Sequence, residues 1–383
     1  MNINIFGSTG IIGKKTLKII EKLPNFKVNL LCAGSNYKLL TNQIKLYKPK
    51  YVYLNNLTKI KILKSNINKN TKILNYKELI DYLISTKSDY TILAISGYKS
   101  LYFLDAIIKN TNNLGLVSKE SIVSAGHIFK KNNYFKKTNI FPLDSEHFSL
   151  FEVFKNNNYD SDKIKNVILT ASGGPFYKKK YKNLTDISFN EAVKHPKWNM
   201  GYKNSIDSAT LVNKCLEIIE AHYLFSIPYK QIKILIHPEA LVHSIIEYNN
   251  FTSSMNLFKN DMSVPILNFL IKKNTKIKYN IDLDIKKYSQ FNFEQVNFNV
   301  FPIYKYFKSL NKKKPENIIK FNVGNEFAVN LFKNKRIKYT DIYKIIKKVG
   351  SLNLYSSLNN IKDITNYHEE IESYLLHNFK INN

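Results

Sequence analysis

The sequence predicts an α/β protein with a doubly wound parallel sheet at the N-terminus, an α+β region in the middle and a helical region at the C-terminus. Residues 1–146 alternate short apolar runs with amphipathic segments, and a glycine-rich turn follows the first run. Residues 305–383 instead repeat apolar positions at helical spacing. A chain of 383 residues has room for two or three domains. We therefore predict domains at 1–146, 147–275 and 305–383, joined by a linker at 276–304.

Six apolar runs in the first domain are the expected strands, and they span 3–7, 27–34, 50–54, 90–96, 114–118 and 140–144. Helical periodicity between them at 14–23 and 101–110 indicates crossover helices, which make the strands parallel. The catalytic crevice of such a sheet lies at the carboxyl ends of its strands. In the middle domain we predict a loop at 195–201 and one long helix at 208–225.

The charge balance is strongly basic, with 58 Lys+Arg against 29 Asp+Glu. Lysine is spread along the whole chain, and Arg336 is the single arginine. A nucleic-acid-binding surface would cluster its cations and use arginine. Lys, Asn, Ile, Tyr and Phe are enriched together, as A/T-rich codons would produce. We expect no nucleic-acid partner, and a basic field that suits a small anionic substrate.

The two cysteines, Cys32 and Cys215, are too few for a disulfide framework and suit a reducing compartment. No apolar run approaches the roughly 18–20 residues that span a bilayer. The chain opens with "MNINIFG", which has the pattern of a strand rather than a signal peptide. We therefore expect a cytoplasmic protein without a membrane partner.

The turn "GSTGIIG" at 7–13 follows the first strand and opens the first helix, as a dinucleotide-binding turn does. Glycines there allow the backbone to approach a pyrophosphate, although such turns are also common without a ligand. The second strand ends in Gly34, Ser35 and Asn36, with Lys38 nearby. Because no carboxylate stands there to repel a 2′-phosphate, the pattern favours NADP over NAD.

Asp144 and Glu146 are two residues apart, so on an extended segment they would point the same way. Either a cation lies between them, or this is an exposed turn with a helix N-cap. Glu217 shares a helix stripe with Asn213 and Lys214, opposite a broad apolar face. That stripe is either a solvated face or part of a metal and phosphate site. Three carboxylates would suit Mg²⁺ or Mn²⁺ rather than Zn²⁺.

Two loops complete the candidate site. "ASGGPF" at 171–176 offers Ser172 and flexible backbone to an anion. "HPKWNMG" at 195–201 holds the single Trp, Trp198, between Pro and Gly. The second loop is either a lid that excludes water or an ordinary loop with one packed aromatic side chain.

These motifs together resemble the 1-deoxy-D-xylulose 5-phosphate reductoisomerase family in order and spacing. The resemblance covers nearly the whole chain and is carried by "GSTGIIG", "KESIVSAG", "PLDSEH", "TASGGPF", "HPKWNMG", "DSATLVNKCLEIIEA", "IHPEALVHS" and "GNEFAVNLF". It implies a Rossmann-like NADPH domain, an α+β catalytic domain with a flexible flap, a C-terminal helical domain and a homodimer. It also implies a reaction in non-mevalonate isoprenoid biosynthesis. In that reaction 1-deoxy-D-xylulose 5-phosphate rearranges on a divalent metal, and NADPH reduces the resulting aldehyde to 2-C-methyl-D-erythritol 4-phosphate.

The resemblance also implies residue roles. The metal ligands would be Asp144, Glu146 and Glu217. The catalytic and substrate-binding residues would be Lys119, Ser145, Glu146, Ser172, His195, Trp198, Met200, Ser208, Asn213, Lys214, Glu217 and His243. The NADPH contacts would be Thr9, Gly10, Ile11, Ile12, Gly34, Ser35, Asn36, Ser118, Glu120 and Gly201.

The departures from the family pattern lie at the cofactor. Ile11 replaces a serine, Ser118 replaces an asparagine, and Ser35 stands where some members have lysine. Two other functions stay open from the sequence: an NADP-dependent dehydrogenase of another phosphorylated substrate, and a binding protein with decayed catalysis. Substituting Glu217 by Gln is expected to abolish metal-dependent turnover while sparing the fold.

Overall fold

The computed structural model describes residues 1–67, 70–156, 160–198, 201–271, 279 and 281–379. The chain divides into two compact units. The first comprises Met1–Ser118, Phe129–Phe148 and Asp261–Ile281, and the second comprises Lys119–Ile128, Ser149–Asn260 and Asp282–Asn383. The division into domains at 1–146, 147–275 and 305–383 stays a prediction. No helix in these ranges is both long and apolar enough to cross a membrane.

The strands form two sheets. In chain order they are β1 (Asn2–Phe6), β2 (Lys27–Ala33), β3 (Tyr51–Leu54), β4 (Lys72–Leu74), β5 (Ser88–Leu93), β6 (Thr111–Leu116), β7 (Asn139–Pro142), β8 (Ile164–Ala171), β9 (Ile232–Ile236), β10 (Val242–Tyr248), β11 (Ser253–Leu257) and β12 (Glu294–Gln295).

The structure has sixteen α-helices among the described residues. They are α1 (Ile11–Ile20), α2 (Tyr37–Tyr47), α3 (Ile60–Ser65), α4 (Tyr76–Ser85), α5 (Leu101–Asn110), α6 (Lys119–Lys131), α7 (Tyr134–Lys137), α8 (Ser145–Asn156), α9 (Phe189–Ala192), α10 (Tyr202–Ala209), α11 (Val212–Phe225), α12 (Ser263–Leu270), α13 (Pro302–Ser309), α14 (Pro315–Lys333), α15 (Asp341–Gly350) and α16 (Ile361–Asn378).

The first unit is built on a seven-stranded parallel sheet in the order β4-β3-β2-β1-β5-β6-β7. The predicted α/β class with a doubly wound sheet is confirmed. Ile3, Ile5, Val52 and Ile92 are fully buried, because helices cover both faces of a parallel sheet. The carboxyl ends of β1 and β7 lead directly into the glycine-rich turn and into Asp144.

Helix α12 returns to the first unit from more than a hundred residues away in sequence. Its side chains Ile266, Leu267, Phe269 and Leu270 belong to the same buried cluster as the strands of the parallel sheet. A Cβ placed on Gly115 of β6 would lie 2.9 Å from the Phe269 ring, so the helix packs closely on the sheet. The core of the first unit is therefore incomplete without this later segment.

The second unit holds a five-stranded mixed sheet in the order β11-β10-β8-β9-β12. Strands β8 and β9 are parallel, and the other pairs are antiparallel. The predicted linker at 276–304 includes β12, which pairs with β9, and part of it lies outside the described residues.

The long helix predicted at 208–225 is present as α11, but it begins four residues later than predicted, because residues 208–209 belong to a separate helix. Helix α10 ends at Ala209, and α11 begins at Val212. Leu211 between them has φ of +64°, a left-handed conformation that leucine adopts only under strong constraint. Its side chain is 1% exposed, so tertiary burial holds the break in place.

Candidate active site

Asp144 caps a helix. Helix α8 begins at Ser145, and Asp144 Oδ1 accepts hydrogen bonds from the backbone N–H groups of Glu146 at 3.2 Å and His147 at 3.5 Å. The buried ring of His147 contributes a further contact, with Nδ1 3.0 Å from the same oxygen. The extended geometry expected for Asp144 and Glu146 is therefore wrong. The helix N-cap is confirmed, but the turn is not exposed, since the Asp144 side chain is only 15% exposed.

Helix α8 carries Glu146 in its first turn, where the helix dipole stabilises a negative charge. Ser145 Oγ donates a hydrogen bond of 2.6 Å to Glu146 Oε2. Both residues lie at the start of one helix, close to the cap formed by Asp144. Capping therefore orients these acidic groups and does not exclude that they bind a cation.

Glu217 on α11 lies between two lysine side chains. Its Oε1 is 3.0 Å from Lys119 Nζ, and its Oε2 is 2.7 Å from Lys214 Nζ. Asn213 Nδ2 donates a further hydrogen bond to Oε1. The Glu217 side chain is 0% exposed, and the lysine side chains are 10% and 6% exposed. The stripe Asn213–Lys214–Glu217 is therefore not a solvated face.

This arrangement is electrostatically demanding. Burying charged groups is costly, and the close approach of one carboxylate to two ammonium groups offsets part of that cost. The carboxylate of Glu217 is a hard oxygen ligand of the kind that divalent ions prefer. The ammonium groups of Lys119 and Lys214 would attract an anionic substrate to the same place.

The loops at 171–176 and 195–198 meet the end of α10. His195 Nε2 lies 2.9 Å from Ser172 Oγ and 3.1 Å from Ser208 Oγ. His195 Nδ1 accepts hydrogen bonds from the backbone N–H groups of Lys197 at 3.1 Å and Trp198 at 2.9 Å. In the neutral ring Nε2 therefore carries the proton. Two hydroxyls and one imidazole thus converge at a place that can bind an anion.

The turn after β8 fits closely under α10. Gly173 and Gly174 have φ of +81° and +66°, which glycine adopts without strain. A Cβ on Gly174 would lie 2.8 Å from the Cα of Ala209. The "ASGGPF" turn therefore needs glycine so that Ser172 can approach Ser208.

The Trp198 ring lies beside His243, with ring centroids 6.2 Å apart in an edge-on arrangement. His243 stacks on Phe258 at 3.9 Å, and its Nε2 is 3.2 Å from the Phe258 carbonyl oxygen. The aromatic residue of the loop therefore packs against an anchored histidine. Met200, which was assigned to the same flap, lies outside the described residues.

The glycine-rich turn has the close packing of a dinucleotide-binding turn. A Cβ on Gly13 would lie 2.3 Å from the Gly7 carbonyl oxygen, so only glycine fits there. Helix α1 starts at Ile11 with Gly10 as its N-cap, and Thr9 precedes it. Ser8 Oγ is buried and has no hydrogen-bond partner among the residues that the structure describes. These features fit a pyrophosphate at the start of α1.

The remaining cofactor residues occupy several elements. Gly34 and Gly201 adjoin open space, and Asn36 caps α2 by accepting a hydrogen bond from the Leu39 N–H at 3.1 Å. Ser118 Oγ lies 2.9 Å from Ser100 Oγ. The other predicted contacts are Ile12 on α1, Ser35 before α2 and Glu120 in the first turn of α6.

A buried polar cluster next to Ser208 was not predicted from the sequence. Asp207 forms an ion pair with Lys203 on the same helix and accepts a hydrogen bond from Asn325 of α14. The i, i+4 spacing of Lys203 and Asp207 was visible in the sequence, but their burial was not.

Protein-family models match three segments of the chain. The 1-deoxy-D-xylulose 5-phosphate reductoisomerase model matches residues 3–126. Two models of the C-terminal domain of 1-deoxy-D-xylulose 5-phosphate reductoisomerase match residues 140–225 and 257–374. The three matched segments do not overlap, and all three models describe the same family.

Curated relatives match over almost their full length. The chain is 37% identical to the 1-deoxy-D-xylulose 5-phosphate reductoisomerase of Pelagibacter ubique (strain HTCC1062), covering 96% of this chain and 97% of that protein. It is also 37% identical to the enzyme of the same name from Sulfurihydrogenibium sp. (strain YO3AOP1), covering 95% of this chain and 94% of that protein.

Solved structures share the fold. The reductoisomerase of Zymomonas mobilis in complex with NADPH is 30% identical, with a TM-score of 0.85 over 97% of both chains. A DOX-P reductoisomerase in complex with NADPH, fosmidomycin and magnesium is 29% identical, with a TM-score of 0.91 over 99% of this chain and 98% of that one.

Proposed function

The chain belongs to the 1-deoxy-D-xylulose 5-phosphate reductoisomerase family, and we propose that the residues described above carry out that family's reaction here. The reaction is the NADPH-dependent conversion of 1-deoxy-D-xylulose 5-phosphate to 2-C-methyl-D-erythritol 4-phosphate. The observation that carries the assignment of residues is the fully buried carboxylate of Glu217, whose oxygens lie 3.0 Å from Lys119 Nζ and 2.7 Å from Lys214 Nζ.

Asp144, Glu146 and Glu217 would hold a divalent ion, Mg²⁺ or Mn²⁺, because all three offer hard oxygen donors. When bound, the ion supplies a Lewis acid that stabilises negative charge on the substrate oxygens during the rearrangement. The chain's own contribution is to fix the ligands before the ion arrives. The cap at Asp144 and the lysine contacts of Glu217 orient two of the three carboxylates.

The substrate phosphate would bind where Ser172, His195 and Ser208 converge. His195 donates from Nε2, and the serine hydroxyls supply two further hydrogen bonds. Asn213 and Lys214 on α11 would bind the substrate hydroxyl groups, and Lys214 adds positive charge. A phosphate bound through these contacts positions the carbon chain for reaction.

Lys119 and Ser145 would contact the reacting end of the substrate. Lys119 Nζ lies 3.0 Å from Glu217 Oε1, and its ammonium group would stabilise a substrate oxygen that becomes negative in the rearrangement. Trp198 and Met200, on the 195–201 flap, would cover the substrate and exclude water, with His243 behind Trp198.

NADPH would lie along the carboxyl end of the parallel sheet, with its pyrophosphate at the turn from Thr9 to Ile12. Gly34, Ser35 and Asn36 would bind the adenosine end. Ser118, Glu120 and Gly201 would adjoin the nicotinamide end, from which hydride reduces the aldehyde. A homodimer in the cytoplasm completes the proposal, and light scattering tests the dimer directly.

The first experiment combines purified protein, NADPH, Mn²⁺ and 1-deoxy-D-xylulose 5-phosphate and follows the nicotinamide absorbance. We expect NADPH oxidation that a chelator stops and that Mn²⁺ or Mg²⁺ restores, with 2-C-methyl-D-erythritol 4-phosphate identified by mass spectrometry. NADPH oxidation that continues in the presence of the chelator would indicate a dehydrogenase that needs no metal. No oxidation by folded protein would favour a binding protein.

A further inference from the structure

Helix α10 connects the flap to the proposed phosphate site. It begins at Tyr202, directly after the 195–201 loop, and it carries Ser208 one residue before its end. A helix of eight residues is only marginally stable by itself in water, so it depends on contacts with the rest of the protein. Neighbouring elements must therefore fix the rotation of this helix, and that rotation decides whether Ser208 faces His195.

One side of α10 rests on the turn after β8. A Cβ on Gly174 would come within 3.0 Å of the Ser208 carbonyl oxygen, so this approach leaves no space. The contact limits how close α10 can come to the turn. The contact does not fix the rotation of α10 about its axis, because close packing against one glycine provides no directional hydrogen bond.

Helix α10 is also hydrogen-bonded to α14. Asn325 Nδ2 donates a hydrogen bond of 2.9 Å to Asp207 Oδ1, and Lys203 pairs with Oδ2 of the same carboxylate. Asp207 and Asn325 are 1% and 0% exposed. A buried carboxylate without these partners would be strongly unfavourable, so the bond from Asn325 is directional and costly to lose.

The contact between the two helices continues toward the start of α10. The Tyr202 hydroxyl lies 3.4 Å from Asn330 Oδ1, and Lys333 Nζ lies 4.1 Å from the centre of the Tyr202 ring. Asn325, Asn330 and Lys333 lie on successive turns of α14. Helix α14 therefore supports α10 along its length, and Asn325 is the support nearest Ser208.

We infer that Asp207 and Asn325 are positioning residues for the substrate phosphate, with α14 holding Ser208 toward His195 through the bond between them. The inference rests on the proposed phosphate site. It extends that site to the C-terminal helical region, which contributes no side chain to the three hydrogen-bonding groups themselves. Asp207 is well placed for this role, because it immediately precedes Ser208 in the chain.

The test uses three variants: Asn325→Leu, Asp207→Asn, and the exchange that combines Asp207→Asn with Asn325→Asp. The exchange keeps one carboxylate and one amide face to face. We expect each single variant to raise the KM for 1-deoxy-D-xylulose 5-phosphate roughly ten- to hundredfold, the range for loss of a hydrogen bond to a charged group. The exchange should restore KM to within about threefold of the parent protein.

Two further measurements separate positioning from general damage. The Kd for NADPH should stay within about twofold in every variant. The Kd for inorganic phosphate, followed by fluorescence of the single Trp198, should rise in parallel with KM. This second measurement does not depend on turnover, so it remains valid if the proposed reaction is wrong. The control is Ser124→Ala, which removes a buried contact of 2.9 Å to His368 on α16.

Ser124→Ala should lower the melting temperature without changing the KM for 1-deoxy-D-xylulose 5-phosphate or the Kd for inorganic phosphate. A folded Asn325→Leu protein with unchanged KM and phosphate Kd would overturn the inference. The inference would also fail if Asn325→Leu weakened NADPH binding as much as phosphate binding. It would fail as well if Ser124→Ala weakened phosphate binding as much as Asn325→Leu does. If the single variants do not fold, the exchange decides, since a folded exchange protein with a raised KM contradicts positioning.

Discussion

Replacing Glu217 by Gln should cost stability as well as metal binding. The side chain is fully buried, and each of its oxygens faces one lysine ammonium group, at 3.0 and 2.7 Å. Glutamine has the same shape but no charge, and its amide nitrogen would point hydrogens at a cation. The substitution therefore leaves Lys119 and Lys214 buried without an opposing charge.

The size of the effect follows from these distances. With an effective dielectric constant of about 20, each lysine–carboxylate contact contributes roughly 5–6 kcal/mol of Coulomb attraction before desolvation. Most of this is offset by the cost of removing the groups from water, and breaking a buried pair typically costs about 3–5 kcal/mol. We expect Glu217→Gln to lower the free energy of unfolding by about that amount in the absence of metal.

Urea unfolding in the presence of a chelator measures this loss, with circular dichroism as the signal. The matched control adds Lys214→Met to Glu217→Gln, which removes one of the stranded cations. The double variant should be more stable than Glu217→Gln alone by about 1–3 kcal/mol. A Glu217→Gln protein within about 1 kcal/mol of the parent would refute the reasoning. The original expectation that this substitution spares the fold would then hold.

Three other perturbations have defined outcomes. Gly13→Ala places a Cβ 2.3 Å from the Gly7 carbonyl oxygen, so NADPH affinity should fall by about tenfold or more in a fluorescence titration; unchanged affinity would contradict the tight turn. Ser172→Ala removes a hydroxyl 2.9 Å from His195 Nε2, so the KM for the phosphorylated substrate should rise roughly tenfold while the Kd for NADPH stays constant. Burial, together with nearby carboxylates, raises the pKa of Glu326 from 4.5 to about 8. The folded protein therefore keeps a proton that the unfolded chain has lost, and stability should fall from pH 5 to pH 8 by at most about 1.4 kcal/mol per pH unit from this group. Above pH 8 this contribution levels off. Glu326→Gln should flatten the decline in urea midpoints over that range, and equal slopes for both proteins would show that Glu326 is not protonated.

The sequence was sufficient to predict the parallel sheet. Its strands are continuous apolar runs, and such runs arise because both faces of the sheet are covered. It was insufficient for β4, which has only three residues and lies at the edge of the sheet. A strand that short carries no periodicity to recognise.

The corrections within the site have a common cause. The break at Leu211 depends on burial of that side chain, and no local preference of leucine predicts a positive φ. The partner Lys119 of Glu217 lies 98 residues away, and Asn325 lies 118 residues from Asp207. Sequence spacing reports neighbours on one helix, whereas these contacts are made by separate elements.

The local geometry of the predicted acidic pair differs from the geometry that its motif suggested. Asp144 and Glu146 were identified as a candidate acidic pair from their spacing on an assumed extended segment. They lie instead at the start of α8, where a cap and a helix dipole act on them. The residue types suit a cation site under either geometry, so the metal-ligand assignment does not depend on the extended segment and stays a prediction.

The contribution of α12 to the first sheet has a consequence for biosynthesis. A ribosome synthesises β1 to β7 well before it reaches Ser263–Leu270. Until then the surface that Ile266 and Phe269 will cover stays open to water, although the strands beneath it are already complete. The nascent first unit therefore exposes an apolar face while more than a hundred further residues emerge. It is in this interval that the polypeptide is most exposed to aggregation and to capture by chaperones.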